Sequence, residues 1–136
     1  MCSDRPTQRL GEAIIATGVL HNALGGYLYR RQVAGMLRDG IIGSASDAKL
    51  GTLDGERRQT ALWFFVGGLA FITIGESVRR SGQRKAPIAP ALGPGITAIG
   101  ALGAATMPAS GFWAVLAEGL VATALRRRHA RGTSPG

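Results

Sequence analysis

Apolar and polar positions in this chain fall into long blocks. Four apolar stretches, Leu10–Tyr29, Thr60–Val78, Ile88–Met107 and Phe112–Leu125, are separated by arginine-rich ones. The basic blocks are Arg30, Arg31 and Arg38; Arg57 and Arg58; Arg79, Arg80, Arg84 and Lys85; and Arg126, Arg127, Arg128 and Arg131. A soluble bundle would spread its charges over the wet faces of its helices at the helical repeat. Clustered charges around apolar runs instead match the span rule of roughly 20 apolar residues per crossing. The pattern predicts an all-α polytopic membrane protein: one domain, residues 1–136, with four transmembrane helices in a compact antiparallel bundle. Residues 30–59 form a polar loop and residues 126–136 a basic tail.

Local signals refine the spans. Tyr27 and Tyr29 close the first and Trp63, Phe64 and Phe65 open the second, as expected of aromatic residues at a membrane interface. The third is rich in Gly and Ala and carries Pro90 and Pro94, so its helix starts near Pro94. The fourth is short, and Arg126 and Arg127 are expected to snorkel to lengthen it. Pro108 and Gly111 between spans three and four predict a tight helical hairpin. In the polar loop, Met36–Gly43 mixes apolar and polar residues and predicts a short helix on the membrane surface. Asp39-Gly40 and Asp54-Gly55 read as turns. Asp47 and Asp54 match no calcium-loop spacing, so the loop is expected to be solvated. The apolar run after Arg5 and Arg9 is broken by His21 and Asn22 and lacks a clear cleavage site, which predicts a retained first span.

Charge sets the orientation. Four spans put the N-terminus, the second loop and the C-terminus on one side, and that side carries ten of the 16 Lys and Arg residues. Both termini are therefore expected in the cytoplasm, in a multi-pass protein of the inner (cytoplasmic) membrane. The net charge of +8 is assigned to anionic lipid headgroups met by Arg79, Arg80, Arg126, Arg127 and Arg128. No aromatic residues interleave the basic blocks as stacking platforms, so nucleic acid is not the expected partner. The single cysteine, Cys2, excludes a disulfide framework or a cysteine-based metal site within one chain and reads as a reduced cytoplasmic residue. The mean hydropathy of +0.14 is low for a membrane protein, diluted by the polar loop and by 21 glycines.

Glycines and alanines recur at heptad spacing: Gly11, Gly18 and Gly25; Ala61, Gly68 and Gly75; Gly93 and Gly100. In lipid no hydrophobic effect draws helices together, and small residues permit the close backbone approach that does. Gly11, Gly18, Gly25, Gly68, Gly75 and Gly100 are therefore the expected packing seams. His21 and Asn22 share the face of Gly18 and Gly25. Glu118 lies mid-way along span four, where an ionisable side chain is a functional candidate that calls for a partner. His21, at similar depth, is the candidate partner, and a buried His21–Glu118 pair is expected to clasp the bundle. Glu12 and Glu76 are expected to pair with arginines at headgroup level.

Three segments, taken in order, resemble an uncharacterised family of small bacterial four-helix membrane proteins, a domain of unknown function. They are Gly18-Val19-Leu20-His21 with Gly25 or Gly26; Glu56-Arg57 leading into Ala61-Leu62-Trp63-Phe64-Phe65 and Gly68; and Pro108-Ala109-Ser110-Gly111-Phe112-Trp113. The resemblance implies the fold and no activity, cofactor or site residue. The chain has no cysteine pair, metal-ligand cluster, nucleophile with a placed base or phosphate loop. The expectation is a non-enzymatic helper or partner-binding subunit without cofactor or metal, meeting a second copy or another membrane protein. The alternative is a small proton-coupled transporter or channel using Glu118 and His21.

Overall fold

The computed structural model describes residues 4–40, 42 and 51–132. Cys2, Asp47, and Ile41 and Gly43 at the end of the expected surface helix lie outside them. The described residues form five helices and no strand: α1, Arg5–Leu28; α2, Arg30–Asp39; α3, Leu53–Arg84; α4, Leu92–Thr106; and α5, Phe112–Gly132. The apolar stretches seed α1, α3, α4 and α5, and three of these helices run on into the charged flanks.

The described elements are all helical, as expected, and length and composition support one of the four expected spans. Among the described residues only α3 is both long and apolar enough to cross a membrane, while α4 is a shorter apolar helix of 15 residues. The physical reason is composition. Glu12, His21 and Asn22 dilute α1, and Glu118 with Arg126–Arg128 charges α5. The short helix expected at Met36–Gly43 is displaced. It begins at Arg30 and ends at Asp39, where Gly40 takes φ 88°, a left-handed backbone that favours glycine. Tyr29 separates α1 from α2, yet backbone bonds from Tyr29 to Gly25 and from Val33 to Tyr29 continue the helical ladder across it.

The chain divides into two compact units, with divisions inside α1 and α3. The first comprises the described residues of Met1–Thr17 and Ile72–Gly136. Its α4 and α5 form an antiparallel hairpin around Met107–Gly111, where the Trp113 indole donates to the Pro108 carbonyl at 2.9 Å. The hairpin is closed by missing side chains. A Cβ at Gly100 would collide with the Leu116 backbone, and one at Gly119 with the Thr97 backbone. The start of α1 meets the end of α3 in the same manner: a Cβ at Gly75 would lie 2.7 Å from the Gly11 carbonyl, and one at Gly82 the same distance from the Gln8 nitrogen. Ile14, Val78, Val115 and Ala122 fill the remaining interior. Past Arg84, α3 ends in a Schellman motif: Ala86 N–H bonds the Ser81 carbonyl at 2.9 Å and Lys85 N–H the Gly82 carbonyl at 3.4 Å. Lys85 occupies the left-handed position, φ 55°, that glycine usually holds.

The second unit, Gly18–Phe71, holds the end of α1, α2 and the start of α3. Gly25 faces the Phe64 ring, which lies 2.7 Å from where its Cβ would be, and the Asn22 amide occupies the space over Gly68. Gly18 and Ala61 are buried as well.

Candidate functional site

Glu118 is the buried acid of the first unit, with 8% of its surface exposed. The α5 turn carrying it packs on α1, and the Thr17 hydroxyl donates to Oε1 at 2.6 Å. Oε2 is buried and has no hydrogen-bond partner among the described residues. The carboxyl is thus held at one oxygen and unmet at the other. Beside it runs a groove of about 650 Å³ between α1 and α5. Leu10, Ala13, Ala117 and Val121 make its walls, Glu118 borders it, and Arg5 and Arg9 line it towards the start of α1. That end of the unit is tied by Asp4, whose carboxylate lies 3.2 Å from the His129 ring and accepts from the Thr7 hydroxyl at 2.6 Å.

His21 has its partner within the second unit. Its ring stacks on Phe64 at 3.8 Å between centroids and 8° between planes, and Nε2–H donates to the Phe64 carbonyl at 3.0 Å. The members of the expected His21–Glu118 pair are therefore engaged elsewhere: Glu118 by Thr17, His21 by Phe64. The physical reason is reach. Thr17 stands one turn before His21 on α1, and its short hydroxyl meets Glu118 directly, whereas the imidazole lies flat on an aromatic ring. Asn22 Oδ1 is buried over Gly68 and has no hydrogen-bond partner among the described residues.

The second unit also carries an ionic clamp. Arg58 is buried at the start of α3, 2.7 Å from Asp39 at the end of α2 and 2.8 Å from Asp54 one turn earlier in α3. Gly35 leaves room for its guanidinium. The hydrogen bond to Asp39 raises the Arg58 pKa above the ordinary arginine value. In the first unit Glu76 bridges Arg79 and Arg80, each at 2.7 Å, and the bond to Glu76 raises the Arg79 pKa.

Sequence reasoning overlooked Thr17, Phe64 as the His21 partner, Arg58, and the contacts of Gly82, Gly103 and Gly119. Thr17 carried one usable signal, a hydroxyl inside an apolar run one helical turn from His21. The six expected seam glycines, Gly11, Gly18, Gly25, Gly68, Gly75 and Gly100, are all buried, and five of them face atoms that a Cβ would strike. Among the described residues no group of three His, Cys, Asp or Glu side chains converges to hold a metal. The model of a family of unknown function, DUF6463, matches residues 5–129. No curated protein matches and no solved structure matches.

Proposed function

The chain belongs to DUF6463, a family of unknown function, and we propose from that premise that it is an integral membrane protein acting through partners, without chemistry of its own. One observation carries this reading: the helices bury glycine and expose leucine. Gly11, Gly25, Gly75 and Gly100 are inside, while Leu20 at 69% exposure, Leu102 at 68% and Trp63 at 70% point outward. Water would drive the reverse arrangement, since each large apolar side chain gains about 1.5–3 kcal/mol on burial. Lipid removes that drive and leaves close backbone packing as the cohesive force.

In the proposed arrangement α1, α3, α4 and α5 cross the bacterial inner membrane, with the basic ends of α1, α3 and α5 in the cytoplasm. Arg79, Arg80 and Arg126–Arg128 meet anionic headgroups there. Glu118 precedes Arg126 by eight residues, a depth of roughly 12 Å at 1.5 Å per residue, well inside a hydrocarbon core about 30 Å thick. The exposed apolar faces would meet a membrane-protein partner or a second copy. Alkaline carbonate washing of isolated membranes tests the placement. Retention in the pellet supports it, and release into the supernatant refutes it.

A second reading, a small proton-coupled transporter or channel, is favoured by the unmet oxygen of Glu118. Proteoliposome pH changes that vanish with Glu118→Gln would support it, and changes indifferent to that substitution would remove it.

A further inference from the structure

We propose that the groove between α1 and α5 binds a lipophilic organic cation, a protonated amine on an apolar body, whose N–H donates to Oε2 of Glu118. Two independent features meet at this place. The groove, about 650 Å³, falls within the range of small-molecule sites, and its Leu10, Ala13, Ala117 and Val121 walls suit an apolar body. The carboxyl beside it is 92% buried, with one oxygen fixed by Thr17 and the other unpartnered among the described residues. A buried acceptor without a donor is costly to keep, and a turn of the Glu118 carboxyl towards the groove it borders would let a ligand N–H remove that cost.

The charges select a cation over an anion. Arg5 and Arg9 would attract an anionic head, but both side chains are exposed and are already served by water or headgroups. The unmet requirement lies at Glu118, and it is for a donor. The arginines also orient the ligand: they repel its charge, so the cationic end settles towards the carboxyl. Arg5 and Arg9 lie eight or more residues before Thr17 on α1, roughly 12 Å or further along the helix axis. Entry is sideways from the bilayer, through the open apolar side of the groove, and only this route rests on the membrane reading above.

Protonation competes with the ligand, because a carboxyl that has taken a proton no longer attracts a cation. The groups facing Glu118 are Thr17 on α1, which does not titrate, and the more distant guanidinium groups of Arg5 and Arg9. Binding therefore weakens as pH falls, with a single titrating group.

Dansylcadaverine, a fluorescent lipophilic amine, provides the test, with the full-length protein in nanodiscs and empty nanodiscs as the blank. Insertion is read separately, from co-elution of the protein with the discs. The expected result is a saturable blue shift, displaced by dodecylamine and weakened at least tenfold by Glu118→Gln. Ala117→Leu, which fills the groove and leaves the carboxyl intact, should weaken it similarly, while Arg9→Gln should leave it equal or tighter. Equal binding by Glu118→Gln or by Ala117→Leu overturns the proposal. So does displacement by dodecyl phosphate in preference to dodecylamine, which would assign the groove to anionic lipid.

Discussion

The α4–α5 hairpin and the α2–α3 clamp hold helices together by opposite means. In the hairpin, Gly100 lies against the Leu116 backbone and Gly119 against the Thr97 backbone, and contact is achieved by leaving side chains out. In the clamp, a long cationic side chain bridges two carboxylates across Gly35. Glycine packing suits an environment that supplies no hydrophobic drive, and charged bridging suits one in which water solvates whatever the bridge leaves unmet. Glycine packing of the hairpin is what the proposed membrane placement would require of helices in lipid.

The largest effect should come from filling the hairpin seam. Gly100→Leu must push α5 away or shift backbone, at a cost of about 3 kcal/mol or more, read as loss of the folded species in a detergent melting curve. If the stability of this variant matched wild type, the close approach of α4 and α5 would be refuted. Next comes Thr17→Val, which removes the donor to a buried carboxyl. The expected loss is about 1–3 kcal/mol, and Thr17→Ser should recover most of it.

The clamp should respond in another currency. Arg58→Met is expected to raise hydrogen exchange across Arg30–Asp39 while leaving α4 and α5 unchanged. Because the folded pKa of Arg58 is raised, its contribution is fully present below the ordinary arginine value and is lost only as pH climbs past the folded one. Protection of the α2 amides, relative to their base-catalysed intrinsic exchange, should thus hold through the alkaline range where lysines discharge. Early release there would assign the docking of α2 to something other than Arg58. The smallest effect is a gain. Lys85→Gly relieves a left-handed residue at the end of α3 and should stabilise by about 0.5–1 kcal/mol.

Much of the helical layout was legible because glycine spacing, proline and arginine blocks are local signals. Pro108 and Gly111 marked the hairpin turn, and α4 begins at Leu92, close to Pro94, where the helix of the third span was expected to start. Helix ends were less legible: α3 begins at Leu53 and α5 runs to Gly132, because charged residues extend a helix beyond its apolar core at no cost in water. The partner of Glu118 was hidden for a different reason. Charge favoured His21, but side-chain length and ring stacking decided the contact, and neither can be read before the helices are placed. Arg58 looked like one of several flanking arginines; only the approach of Asp39 from α2 distinguishes it.

The central claim, that the large apolar side chains face lipid, is tested most directly by tryptophan quenching in vesicles. Trp63 and Trp113 are the two tryptophans, 70% and 56% exposed. In liposomes with brominated acyl chains, both are expected to be strongly quenched, and replacing either with Phe should leave a quenched partner. Emission equal to that in unbrominated liposomes would contradict the claim and place these faces in water or against protein.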